Sequence, residues 1–159
     1  MAKLHDEQDD LVADIKERID EVAALVYPEF DSKKRHIETK TRRNGGEHDY
    51  IIAHVYDDNE LLHLIIDARP KLSDFLAVAR RLEICQKRLY QERYQTGQSS
   101  KDPSNQVRQD ILDKHSRKVI VTRSEPDFPA RKSAKKISIV LIVQDEATGR
   151  FSSEMARSS

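Results

Sequence analysis

Between residues 8 and 26, apolar side chains recur at Leu11, Ile15, Ile19, Val22 and Val26. Steps of three and four align them on one side of a helix. Asp10, Asp14, Glu17, Asp20 and Glu21 occupy the other side, and Pro28 stops the helix near Tyr27. From residue 35 the period shortens to two. Asn44-Gly45-Gly46 separates strand-like runs 35–43 and 47–57, and Asp58-Asn59 separates the second run from a third, 60–67. This pattern predicts a three-stranded antiparallel meander closed by Pro70. A helix then runs from 71 or 72 to 94, with Leu72, Phe75, Leu76, Ala79, Leu82, Cys85 and Leu89 as its apolar stripe. Its charged side carries Arg80, Arg81, Lys87, Arg88 and Arg93.

Residues 97–105 have loop composition, and Val107, Ile111 and Leu112 mark a short helix over 105–115 that Ser104 or Asn105 can cap. Strands follow at 119–122 and 137–143, joined by a polar loop. The last strand is apolar at nearly every position, which predicts cover on both faces. The expected fold class is α+β: an antiparallel sheet, made of the meander and two C-terminal strands, packed on two main helices and one short helix. Residues 1–146 are expected to form one domain and 147–159 a flexible polar tail.

Turn geometry fixes an expected register. A two-residue turn at Asp58-Asn59 pairs Val55 with Leu62, Ala53 with Leu64 and Ile51 with Ile66, giving an apolar core face. The opposite face then pairs His54 with His63, Tyr56 with Leu61 and Ile52 with Ile65. A three-residue loop over 44–46 sets Ile37 opposite Ala53, His36 opposite His54, Glu38 opposite Ile52 and Lys40 opposite Tyr50. That outer face carries apolar residues that soluble monomers seldom leave unused. Cover by the second helix, by the last two strands or by a second copy would each answer. Tyr50, Ile52, His54, Tyr56, Leu61, His63 and Ile65 are thus the expected partner or self-association surface.

Composition narrows the function classes. The chain has 159 residues, with one Cys, no Trp and 6% aromatic residues. It has room for one ordinary domain with an aliphatic core, and for neither a disulfide framework nor a Cys-rich zinc site. The acidic opening MAKLHDEQDD is unlike a secretory or mitochondrial leader, and the longest apolar run, 139–143, is far too short to span a bilayer. The expected location is the cytoplasm, with no membrane association. Lys plus Arg and Asp plus Glu each number 28, so a chain-wide polyanion-binding composition is excluded. Charge is nonetheless segregated: residues 1–30 carry −6, 31–48 carry +3, 49–68 carry −5, 69–96 carry +4 and 101–136 carry +5.

Two basic clusters follow, Lys33, Lys34, Arg35, Lys40, Arg42 and Arg43 around the first strand, and Arg131, Lys132, Lys135 and Lys136 in the late loop. A basic hairpin and a mobile basic loop can hold nucleic-acid phosphates, while the same residues also guard sheet edges. An acidic protein partner, or the acidic first helix of a neighbouring copy, suits them equally. His36, Glu38, His54 and His63 form an alternative metal set. Glu38-Thr39-Lys40 is similar to the Glu-x-Lys fragment of restriction-type nucleases, where a carboxylate holds a metal and Lys polarises the attacking water or the phosphate. Glu38 lacks the acidic partner expected on a preceding core strand.

No Gly-rich phosphate loop, Gly-x-Ser-x-Gly elbow or His-Glu-x-x-His motif is present. The sequence therefore leads to a small, non-enzymatic binding or regulatory protein. It is expected to act through protein–protein contacts as a homodimer, with no cofactor, no metal and no catalytic residue. Nucleic-acid binding and a metal-dependent nuclease or phosphodiesterase are the alternatives.

Overall fold

The computed structural model describes residues 2–27, 36–44, 48–56, 61–71, 74–94, 112, 114–124, 132–133 and 138–153. Helices α1 (Ala2–Glu17) and α2 (Ile19–Val26) precede strands β1 (His36–Asn44), β2 (His48–Tyr56) and β3 (Leu61–Arg69). Then come α3 (Phe75–Tyr94) and strands β4 (Ser116–Thr122), β5 (Ile139–Gln144) and β6 (Phe151–Ser153). The six strands form one sheet in chain order. The class is α+β.

The sheet is mixed rather than antiparallel. β1–β2, β2–β3 and β5–β6 are antiparallel, but β3–β4 and β4–β5 are parallel. For β3 and β4 the reason is the helix between them. A crossover helix carries the chain back along the sheet, so the next strand starts where the previous one started. The stretch expected as a flexible tail from 147 instead contains β6, which pairs with β5 and buries Phe151. Of the predicted short helix, Leu112, Lys114 and His115 are helical, and the remainder lies outside the described residues.

The sheet divides two apolar layers. On one side Leu11 and Ile15 of α1 and Val22 and Ala23 of α2 pack on Ile51, Ala53, Val55, Leu62, Leu64, Ile66, Val119, Val121 and Ile142. On the other, Phe75, Val78, Ala79, Leu82, Cys85 and Leu89 of α3 pack on Ile52, Ile65, Ile120, Ile139 and Leu141. Period-two alternation thus supplies both layers from the same strands. Each fully buried aliphatic side chain contributes about 1.5–3 kcal/mol by leaving water.

The first helix breaks at Arg18, whose backbone departs from helical geometry (φ −112°, ψ 32°). Its guanidinium donates to the Gly149 carbonyl at 2.7 Å, tying the break to the β5–β6 turn. Among the described residues no helix is long and apolar enough to cross a membrane.

Candidate functional site

The β2–β3 register is the predicted one, with His54 opposite His63 and Ile52 opposite Ile65. β1 differs. Asn44 pairs with His48, so the three-residue connection lies one position later than expected and every pairing moves by two. Faces are preserved because a two-residue shift keeps the side-chain alternation. Ile37 still joins the core layer, now opposite Val55, while His36 moves opposite Tyr56, Glu38 opposite His54 and Lys40 opposite Ile52.

The four residues considered for a metal separate into two pairs. His36 and Glu38 meet at 3.4 Å on the exposed edge strand. His54 and His63 share a 2.8 Å hydrogen bond between their Nδ1 atoms and are 2% and 1% exposed. Among the described residues no group of three or more His, Cys, Asp or Glu stands close enough to hold a metal ion.

The face expected to meet a partner is covered by α3 of the same chain. Ile52, His54, His63 and Ile65 are buried, and Tyr50 packs partly against the α3 layer. Tyr56 keeps 36% of its surface; the side chain of Leu61 lies outside the described residues. Of the covers the sequence left open, the second helix of the same chain is the one found, so the buried members of this set face α3 rather than a partner. The apolar positions that looked surplus on the sheet are the seat of the helix stripe. The polar members of this layer bond to one another: Gln86 Nε2 donates to Ser116 Oγ at 3.0 Å, and Ser116 Oγ donates to the Leu112 carbonyl at 3.2 Å. Ser116 is registered beside His63, and Lys118, two residues on, is 1% exposed.

A different place collects accessible polar chemistry. β3, β4 and β5 run parallel, so their carboxyl ends lie together, the usual location of ligand clefts in parallel sheets. A cleft of about 510 Å³ opens there, lined by Pro70, Lys71, Arg123, Ser124 and Glu146. Its walls are fixed by hydrogen bonds. The Pro70 carbonyl accepts from the backbone N–H groups of Arg123 and Ser124 at 3.1 and 3.2 Å and from Thr122 Oγ1 at 3.2 Å. Arg123 donates from Nε to Gln144 Oε1 at 3.0 Å and from Nη2 to Asp14 Oδ2 at 3.2 Å, and Gln144 Nε2 completes the ring to Asp14 at 3.2 Å. The guanidinium is therefore oriented before any ligand arrives.

Beside the cleft, Arg69 Nε pairs with Asp67 Oδ1 at 2.8 Å. Asp67-Ala68-Arg69 repeats the acid-x-base spacing of Glu38-Thr39-Lys40, but on a central strand. Antiparallel pairing brings the β1–β2 hairpin to this same end: Tyr50 pairs with Asp67 and with Arg42, and Arg43 pairs with Asp49. Hence Arg42, Arg43, Arg69, Lys71 and Arg123 all belong to one end of the sheet.

Of the other residues expected to contact nucleic acid, Lys40 is exposed on β1 and Lys132 is exposed. Lys33, Lys34, Arg35, Arg131, Lys135 and Lys136 lie outside the described residues, as do the side chains of Arg42 and Arg43. The cleft residues Lys71, Arg123 and Ser124 and the Asp67–Arg69 pair were not singled out in the sequence. Two signals point to them: the acid-x-base spacing just before Pro70, and the strand–helix–strand order that makes β3 and β4 parallel. No family model, curated protein or solved structure matches the chain.

Proposed function

We propose that the protein binds nucleic acid through its phosphates, along the end of the sheet where β1 finishes and β3 and β4 exit, and does not transform it. The observation that carries this reading is the gathering of five basic residues from β1, the β3 exit and the β4 exit at that end. From β1 to β4 is three strand spacings, about 14 Å, or the rise of about four base pairs. A row of that length suits an extended polyanion better than a single small anion. The hydroxyl of Ser124 and Nη1 of Arg123, whose Nε and Nη2 are held by Gln144 and Asp14, add directed donors. Its one cysteine, the buried Cys85, suits the reducing cytoplasm.

The test is a salt titration of binding to a labelled DNA duplex and to a single-stranded RNA, with fluorescence anisotropy as readout. Affinity is expected to fall steeply with salt, and Arg42→Ala with Arg43→Ala is expected to weaken it at least tenfold. No salt-dependent binding to either probe would end the reading.

One observation favours a second reading, a metal-dependent phosphodiesterase. Asp67 and Arg69 have the spacing of the nuclease fragment on a core strand, although Tyr50 rather than Asp49 is the β2 residue opposite Asp67, which sets Asp49 on the other face. The basic position holds Arg, which stays protonated and can neutralise a phosphate but cannot serve as a base. Its closure onto Asp67 also engages the carboxylate a metal would need. Both features favour binding over cleavage. Cleavage of either probe in Mn²⁺ that Asp67→Asn abolishes would reverse that preference.

A further inference from the structure

We propose that the outward face of α3 is a docking surface for a second copy of this chain, engaged by the acidic outward face of that copy's α1 and α2. The inference is independent of the nucleic-acid reading, since neither face is at the carboxyl ends of the strands. On α3, Leu76 and Ile84 are 64% and 51% exposed, the two most exposed large apolar side chains among the described residues. Arg80 and Lys87 lie on the same quarter-turn and Arg88 beside it, all exposed. The burial of Val78, Leu82, Cys85 and Leu89 turns this ridge away from the sheet. It carries three bases and two large apolar groups, with the half-buried Glu83 at its margin, and so is net basic.

The opposite side of the molecule has the complementary make-up. Leu11, Ile15, Val22 and Ala23 point into the other layer. That leaves Asp9, Asp10, Glu17, Asp20 and Glu21 exposed, with Ala13 between them and Lys16 the one exposed base among the described side chains of α1 and α2. Small Ala13 gives Leu76 or Ile84 somewhere to sit, and the acids flank it as the bases flank Leu76 and Ile84. Pairing α3 with α3 would oppose like charges, so the favourable contact joins unlike faces. Those faces lie on opposite sides of the sheet. A contact between them is heterologous and does not close on a dimer; it adds copies in a row. A contact made by so few helices buries less than a standard interface of about 1,600 Å², so the association is weak and concentration-dependent.

Sedimentation velocity of the full chain, up to about 200 µM in about 50 mM and about 500 mM salt, tests it. Expected is a weight-average mass that rises past dimer with concentration, with at least a tenfold weaker association constant in the higher salt. Arg80→Glu with Arg88→Glu should leave a monomer with unchanged circular dichroism and melting temperature, as should Asp10→Lys with Glu17→Lys and Glu21→Lys. Mixing the two reversed proteins should restore association. A monomer at the highest concentration, a mass that stops at dimer, or association indifferent to both reversals would overturn the proposal. So would a monomeric wild type whose Arg80→Glu, Arg88→Glu variant loses nucleic-acid affinity instead, which would assign the ridge to polyanions.

Discussion

His54 and His63 face each other across β2 and β3 with their Nδ1 atoms 2.8 Å apart, beneath α3. One ring must donate and the other accept, so one Nδ1 has to keep its lone pair. Glu38 stands beside His54 in the register and Ser116 beside His63, with Gln86 of α3 bonded to Ser116.

The pair makes stability depend on pH. In the unfolded chain both rings take up protons below about pH 6.5. In the fold, double protonation would set two N–H groups against each other, so the pair holds at most one added proton. Below about pH 6.5 the unfolded state then binds more protons than the folded pair, and stability falls as pH falls further, by up to about 1.4 kcal/mol per pH unit for each excess proton. Urea unfolding at about pH 6.5 and about pH 5.5 should give a lower midpoint at the lower pH. His54→Phe with His63→Phe should shrink that difference; an unchanged difference would show that the pair is not its source.

Gln86 and Ser116 join α3 to the start of β4 through a buried hydrogen bond. Gln86→Leu leaves Ser116 Oγ with only its donation to the Leu112 carbonyl. The expected cost is about 1–2 kcal/mol, read as a lower denaturant midpoint at unchanged m value. Gln86→Leu with Ser116→Ala should recover part of it, because both polar ends are then removed.

Gly149 has φ +73°, and a Cβ placed there would meet Arg18 Nη1 at 3.0 Å. Gly149→Ala therefore carries left-handed backbone strain and also displaces the guanidinium that holds the α1–α2 break. A loss of about 1–3 kcal/mol is expected. Arg18→Met with Gly149→Ala should cost less than the sum of the single changes, which a double-mutant cycle reads directly.

Much of this fold was legible because alternation and turns are local. Ile51, Ala53 and Val55 alternate with Ile52 and His54, so a two-residue turn at 58–59 fixed the β2–β3 pairing. The turn at Gly45-Gly46 offered two positions for a three-residue connection, both consistent with the alternation. Faces were therefore readable on β1 and partners were not. Ile52 and Ile65 showed that the second face needed cover, yet α3 and a second copy satisfy that need equally in a sequence. Only the crossover resolves it. β6 escaped notice because three residues of one period, Phe151 to Ser153, give too short a pattern. The cleft at Pro70, Lys71 and Arg123 was illegible for a related reason: it joins chain ends some fifty residues apart, which come together only once β3 and β4 are parallel.

Lys71 and Arg123 line the same cleft but differ in what else they hold. Lys71 is exposed, whereas Arg123 bonds both Gln144 and Asp14 and so ties β4, β5 and α1 together. Lys71→Ala should therefore act on the ligand alone. It should lower the slope of log affinity against log salt by about 1 and leave the urea midpoint unchanged. Arg123→Ala removes a phosphate donor and also takes from Gln144 Oε1 its donor and from Asp14 its ion pair, leaving the Gln144 Nε2 bond to Asp14. Because Asp14 is partly open to water, with its side chain 42% exposed, the stability loss is modest, about 1 kcal/mol. Arg123→Lys keeps the charge but loses the planar fork, so it should recover the salt slope without recovering the midpoint. Salt titrations and urea unfolding on the three variants separate these effects. Equal salt slopes in Lys71→Ala and wild type would remove Lys71 from the phosphate track.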